Sequence, residues 1–458
     1  MTIIVIGGGL AGLTVAYRLK QHGVDVCVLE SSKAIGGKIG ARKVGGEPFD
    51  VGANTVLDSN HAIHNLIIEL GLQNEMLFAS PQANARWIMK NGKLTALPTS
   101  PPAFLTTPLF SLGAKLRLLR EPFIAKATRE ETIADFVTRR FGKEILDYVI
   151  NPFLIGTYAA KPEDLSARSA FKVLSELEAQ YGSVMKGAIA RAKEAKQNPK
   201  PYSGKMFSFA GGFYAVIQKL SAALGATIER GAEVQDIQRE GSQWRVFFVQ
   251  QNEMKSLTAT HLVFATPADV TASLIQGVDK DLSESLSKIP HSPVAQVFLG
   301  FTKEEVPQPK GFGFLVPEKE ERQILGAVYN SAIFPSRYQT IAFTVFLGGS
   351  RKPELVRKYS DGTLIEVATA ELQSILNIKA RPVVEGVAKW ERAIPQYRIG
   401  HSDILAAVDA LESREKTLAF VGNWRGGISV PDTIAHAEEV AQRLFADGLL
   451  SANRGHGL

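Results

Sequence analysis

The chain has almost no cysteine. A single Cys27 among 458 residues excludes a disulfide framework and any cysteine-rich metal site. The eight histidines do not cluster. There is no nucleophile elbow and no Ser–His–Asp signature, as is expected where a bound cofactor carries the reaction. Charge of either sign is not in large excess: 52 Lys+Arg against 46 Asp+Glu leave a net +6, which suits an acidic substrate or an anionic surface only weakly. No basic–aromatic array or nucleic-acid module is present, and no nucleic-acid partner is expected. Long apolar runs are missing as well. The run that starts at Ile3 is interrupted by Gly7, Gly8 and Gly9 and closed by Arg18 and Lys20. A spanning helix needs about 20 mostly apolar residues, and no basic segment precedes this run as in a secretory signal. The expectation is a cytoplasmic chain, at most peripheral on a membrane. What is abundant is core: 45% of residues are hydrophobic, and the length suggests about three domains of roughly 150 residues.

The first 30 residues read as strand, turn, helix, strand. Residues 2–6 are short and β-branched, Leu13 to Lys20 has helical spacing, and Val24 to Leu29 is a second strand that ends in Glu30. Between the first two lies Gly7-Gly8-Gly9-Leu10-Ala11-Gly12, a G-x-G-x-x-G. Gly7 permits the tight turn, Gly9 lets the backbone approach a pyrophosphate, and Gly12 lets the helix pack close to the strand. Unpaired N–H groups of the helix N-terminus then face the phosphates. Glu30 stands where a carboxylate accepts ribose hydroxyls and disfavours a 2′-phosphate. This arrangement predicts a dinucleotide.

Two later stretches belong with it. Phe207 to Phe213 precedes a helix over Tyr214 to Leu224, followed by short strands at 226–229, 232–237, 244–249 and 261–267. Near the C-terminus, the strand Thr417 to Val421 leads into Gly422-Asn423-Trp424-Arg425-Gly426-Gly427-Ile428-Ser429-Val430, then a helix over Pro431 to Phe445. A glycine-rich loop before a helix N-terminus can hold a flavin edge and a pyrophosphate. The glycine pair and cation in Ser31-Ser32-Lys33-Ala34-Ile35-Gly36-Gly37-Lys38, directly after Glu30, resemble the phosphate-binding element of FAD enzymes in the flavin amine oxidase superfamily. Lys38 could offer a point charge to a phosphate.

Other stretches are more specific. Phe49 to Thr55, Phe141 to Glu144, Asn151-Pro152-Phe153-Leu154-Ile155-Gly156-Thr157-Tyr158, Pro162 to Ser166, Glu176 to Glu178, Tyr181 to Val184, Gly311 to Pro317 and Leu347 to Ser350 together resemble the protoporphyrinogen oxidases. They span nearly the whole chain in the family's order. The resemblance implies an α/β plus α+β fold. It has a discontinuous Rossmann-like FAD-binding domain (1–70, 205–270 and 415–458), a mixed-sheet substrate domain (71–95 and 271–414) and an inserted helical membrane-docking domain (96–204). It implies oxygen-dependent oxidation of protoporphyrinogen IX to protoporphyrin IX by FAD, with hydrogen peroxide released. A homodimer and product handover to a ferrochelatase are also implied. It assigns to the cofactor Gly7, Gly9, Leu10, Ala11, Gly12, Glu30, Ser31, Gly37, Lys38, Gly52, Ala53, Asn54, Thr55, Val234, Ala265, Trp390, Gly422, Asn423, Ile428, Ser429 and Val430. Arg86 matches the position that binds a propionate, and Val297, Leu315 and Tyr329 match positions that sandwich the tetrapyrrole. Asn151 and Gly156 match a segment near the flavin and the propionate end. Tyr329 departs from the phenylalanine expected there, and a buried hydroxyl needs a partner.

The segment after residue 96 leaves two readings open. Pro101 to Phe110 is apolar and broken by proline, and Lys115, Arg117 and Arg120 follow, which suits an anionic bilayer interface. Alternatively Phe104, Leu105, Leu109 and Phe110 are core and the cations a solvated face. Residues 186 to 205 are strongly basic and, with Pro199 and Pro201, are expected to end in a mobile basic loop. Coproporphyrinogen III, with four propionates, is the rival substrate; Arg86 as the one pocket cation favours the two-propionate molecule. A redox-silent FAD protein that only docks a tetrapyrrole is a further alternative.

Overall fold

The computed structural model describes residues 1–197 and 200–454. The strand Thr2–Ile6, buried from Ile3 onward, is the middle of a five-stranded parallel sheet. Its neighbours are Asp25–Glu30 and Ile228–Arg230 on one side and His261–Phe264 and Leu418–Phe420 on the other. Three distant stretches of chain thus meet in one sheet. Helices Leu10–Gln21, Tyr214–Leu224 and Val430–Arg454 bury the face that carries Ile3, Val5 and Val263. The antiparallel strands Glu233–Glu240, Gln243–Gln250 and Glu253–Ala259 contribute to covering Ile4, Ile6, Leu262 and Phe264. Burial on both faces is why the central strands read as unbroken apolar runs.

The boundaries differ from the sequence reading in instructive ways. The first helix starts at Leu10, inside the glycine motif, because Gly9 itself is the extended N-cap residue. Residues 225–227 form a 3-10 turn ahead of a strand that begins only at Ile228. The strand Glu253–Ala259 was not anticipated. It is the outer strand of its small sheet, with Met254 and Leu257 exposed, so it lacks the alternation that marks a half-buried strand.

A second, seven-stranded sheet is mixed, in the order Val384–Pro395, His291–Phe301, Ile341–Gly348, Ile324–Val328, Gly313–Leu315, Arg86–Lys90 and Lys93–Ala96. Only the pairing of Gly313–Leu315 with Arg86–Lys90 is parallel. Alternation along His291–Phe301 sends Ala295, Val297, Leu299 and Phe301 into the core shared with helix Asp361–Leu376, and Val294 and Gln296 to the opposite face.

Between Pro101 and Gln197 the chain forms short helices joined by loops. Ser100, Ser111, Thr132 and Ser166 each accept a hydrogen bond from the third helical N–H, the N-cap contact that starts a helix. Leu109 and Phe110 are buried beside Phe136, Leu154 and Tyr158, so this part of the apolar stretch is core. The Arg140 guanidinium, fully buried, donates to Glu178 at 2.5 Å and to Glu121 at 3.2 Å, and Glu121 also accepts from the Val184 amide at 2.9 Å. Lys186, Arg191, Lys193 and Lys196 lie on helix Val184–Gln197. Within the expected basic loop, Asn198 and Pro199 fall outside the described residues. Among the described residues no helix is long and apolar enough to cross a membrane.

Candidate active site between the two sheets

The two sheets and the helix Asn151–Tyr158 enclose a cavity of about 940 Å³. One end is built from main chain. The strand Thr2–Ile6 turns at Gly7, whose φ of +111° favours glycine. A Cβ on Gly12 would lie 2.0 Å from the Gly7 carbonyl oxygen, so only glycine lets the helix start this close to the strand. Gly7, Gly9, Leu10 and Ala11 line the cavity, and the helix N-terminus has neither a side-chain cap nor an acidic residue in its first turn. Its free N–H groups are therefore available to an anionic ligand.

Glu30 is buried at the end of its strand. It accepts from the Gly8 amide at 2.7 Å and from the Ser32 amide at 2.8 Å, which fixes the carboxylate beside the glycine turn. Ser31 and Val234 line the cavity beyond it. The Gly9–Gly36 bridge brings the second glycine pair against the first, and Gly37 and Lys38 face the cavity. The Lys38 ammonium donates to the Ala393 carbonyl. Burial pulls it down to about 8, against the opposing field of Asp269.

The loop after strand Leu418–Phe420 closes the next wall with Gly422, Asn423 and Ile428. It is clamped from beneath. Arg425 donates to Glu412 at 2.6 and 2.7 Å, and Arg443 donates to the same carboxylate at 2.6 Å. Burial alone would raise Glu412, but these bonds outweigh it and hold the carboxyl at about 2. Ser429 accepts from the Asp432 amide at 3.2 Å, so it caps helix Val430–Arg454 and does not line the cavity. Of the residues assigned to the cofactor, all but Gly12 and Ser429 line it.

The opposite end is built from side chains. Arg86 stands exposed at the start of its strand, its guanidinium 5.5 Å from the Phe312 ring centre. Leu315 and Gly156 face each other; a Cβ on Gly156 would meet the Leu315 side chain at 3.0 Å. Three assigned residues are not part of this wall. Val297 is on the wrong face of its strand, packed in the sheet core. Tyr329 lies behind the sheet against Phe314 and Phe343, and burial pushes its hydroxyl well above the usual range. Asn151 is buried away from the cavity and accepts from Arg351 at 2.7 Å and from the Glu318 amide at 3.2 Å.

Gln296 was missed. Buried and facing the cavity, it accepts from the Gly52 amide at 2.9 Å and donates to the Gly52 carbonyl at 2.8 Å and to Asn54 at 3.2 Å. A lone amide in an otherwise apolar strand was the available signal. Among the described residues no three His, Cys, Asp or Glu side chains are grouped as a metal ion requires. An amide-lined phosphate cradle, an acidic residue beyond it and a long apolar continuation fit a dinucleotide carrying a flat ring.

The comparisons agree with this geometry. The model of the family described as flavin containing amine oxidoreductase matches residues 10–445. Protoporphyrinogen oxidase 2, chloroplastic/mitochondrial, of Arabidopsis thaliana is 32% identical, over 97% of this chain and 94% of its own length. Protoporphyrinogen oxidase of Homo sapiens is 30% identical, over 96% and 97%. A crystal structure from Exiguobacterium sp. 255-15 superposes with a TM-score of 0.82 at 18% identity, over 97% and 99% of the two chains, and bears on the fold alone.

Proposed function

The chain belongs to the flavin containing amine oxidoreductases and, within them, to the protoporphyrinogen oxidases; from that premise we propose that the cavity between the sheets is a single bed for FAD and its tetrapyrrole substrate. The protein is an FAD-dependent enzyme that oxidises protoporphyrinogen IX in tetrapyrrole biosynthesis. The observation that carries the assignment to this site is continuity. One cavity is lined both by Gly9 of the amide cradle and by Arg86 and Phe312.

FAD held in this cavity would supply the hydride acceptor, with dioxygen as the reoxidant and hydrogen peroxide as its product. The rest falls to the protein's own residues. Gly7, Gly9, Leu10 and Ala11 hold the pyrophosphate and Glu30 the ribose. Gly52 to Thr55, fixed by Gln296, and the loop Gly422 to Val430 hold the ring end. Leu315 and Gly156 form an apolar slot that excludes water, with Phe153, Ile155 and Val328 around it. Arg86, steadied over Phe312, grips a propionate with two parallel hydrogen bonds. Three hydride removals, each at a differently presented bridging carbon, need a slot that orients the ring system, and the side chains around Leu315 and Gly156 are mainly apolar.

The same reading divides the chain into a discontinuous FAD domain around the parallel sheet, a substrate domain around the mixed sheet and an inserted helical domain. The helical domain docks on a membrane surface. Leu112, Leu116 and Leu119 fall on one helical face and are all exposed, as are Leu105 and Phe123, the latter at 87%. An unpartnered apolar stripe of this kind suits the headgroup boundary of a bilayer. Leu116→Glu with Phe123→Glu is expected to abolish co-sedimentation with anionic vesicles and to leave detergent-assayed turnover intact.

The function is tested by porphyrin fluorescence under air. FAD-loaded protein receives protoporphyrinogen IX and coproporphyrinogen III in parallel. Faster turnover of the former is expected; faster turnover of the latter, or no porphyrin from either, would overturn the reading.

A further inference from the structure

Among the described residues that line the cavity only four are charged: Glu30 and Glu233 at the nucleotide end, and the cations Lys38 and Arg86. Arg86 is exposed at the mouth. Lys38 is half-buried, and its free surface faces the cavity. Its backbone follows Gly37 at the phosphate loop, but its side chain leaves that loop. The ammonium reaches the Ala393 carbonyl on strand Val384–Pro395. Ala393 packs with Ile155, Val294 and Leu325, which belong to the substrate half. The charge therefore stands away from the amide cradle.

Its surroundings leave that charge unbalanced. Asp269, on helix Ala268–Ile275, is already paired with Arg392. His291, at the start of its strand, is pushed down to about 4 by burial and then by Lys38 itself, so it is neutral at physiological pH. Lys38 makes no ion pair among the described residues and donates to a neutral carbonyl. A desolvated ammonium without a counter-charge is costly, and such a site favours a ligand that brings a negative charge.

FAD brings two anionic features: the pyrophosphate, and the ring once a hydride has added two electrons and one proton to its neutral form. The helix N-terminus at Leu10 already serves the first. We propose that Lys38 acts on the second: held by the Ala393 carbonyl, it stabilises the negatively charged reduced ring over the neutral oxidised one and so raises the reduction potential of the bound cofactor. The electrons come from the porphyrinogen and leave to dioxygen, as in the reaction above. The inference rests on the FAD reading and deepens it, since charge beside the ring is one of the few handles a protein has on flavin electronics.

The test compares wild type, Lys38→Met and Lys38→Arg, all loaded with FAD. The midpoint potential is read by anaerobic reduction against a reference dye, and the Kd of oxidised FAD by flavin fluorescence. The Met variant is expected to lower the reduced-to-oxidised ratio at a fixed ambient potential about tenfold, which is about 30 mV for a two-electron couple. The Arg variant should recover most of it, with the Kd of oxidised FAD changed by less than about threefold in either. An unchanged potential with oxidised FAD bound tenfold more weakly would move the ammonium to the pyrophosphate and overturn the proposal. No change in either quantity would reduce Lys38 to a prop for Ala393 and overturn it equally. Should the Met variant fail to fold, Lys38→Gln keeps a donor to Ala393 without the charge and is read the same way. No porphyrinogen is used, so a failure of porphyrin formation would count against the activity and not against this inference.

Discussion

At the nucleotide end of the cavity the wall is mostly main chain; at the substrate end it is mostly side chain. The first uses glycine turns and helix amides whose positions follow from a few local φ/ψ choices. The second is assembled from strands and a helix far apart in sequence, and which residue faces inward depends on the parity of a strand and on what lies behind it. The difference teaches where each end is fragile. A backbone cradle fails when one added atom closes it. A side-chain wall loses function one contact at a time.

The largest effect is expected where the cradle is tightest. Gly12→Val places a Cβ 2.0 Å from the Gly7 carbonyl, and the protein should purify without FAD, by absorbance near 450 nm, or fail to fold. Next is the ion pair that ties the strand Glu47–Val51 to the turn Pro335–Arg337. Arg337 holds Asp50 with two buried hydrogen bonds of 2.7 and 2.8 Å. Breaking a buried pair from one side costs about 3–5 kcal/mol, so Arg337→Met should show that loss in urea unfolding of the FAD-loaded protein.

The substrate end should respond more selectively. Arg86→Ala removes a charge-assisted grip worth about 1.5–3 kcal/mol, so KM for protoporphyrinogen should rise about tenfold to a hundredfold with kcat and FAD content nearly unchanged. A fall in kcat alone would place Arg86 elsewhere in the mechanism. Two smaller substitutions sharpen the contrast between wall and core. Leu315→Ala should raise KM with a small change in stability. Val297→Ala should cost about 2 kcal/mol of stability and leave KM alone; if it moves KM, the assignment of its face is wrong.

The mildest perturbation is pH, and it acts on the C-terminal glycine loop. His401, whose ring is 2.9 Å from the Trp424 carbonyl, and His436, packed against Gly426, are both pushed down to about 4 by burial. Between about pH 6.5 and 4 the unfolded chain binds protons that the folded chain refuses, so stability falls as pH drops through that window. Glu412, held at about 2, adds the same sign below pH 4.5. Its contribution is complete above the unfolded value and is lost as the folded carboxyl protonates. Melting temperature and FAD retention should therefore decline together from about pH 6.5 downward, before any change in Arg86-dependent KM.

The sequence by itself settled what short-range chemistry can specify. The glycine motif, Glu30 at a strand end and the late glycine loop each carry their meaning within a few residues, because turn geometry and helix N-termini are local. The resemblance then supplied the family, FAD and the reaction. Tertiary structure alone decided which residues look into the cavity. Val297 and Gln296 are neighbours in sequence, yet the pleat sends one to the core and the other to Gly52. Asn151 opens the helix Asn151–Tyr158 but turns to Arg351, because the helix packs its polar start against a distant turn. Lys38 begins at the phosphate loop and ends on Ala393, 355 residues away. No local pattern encodes such meetings; they arise only when two sheets and a helix close around the same space.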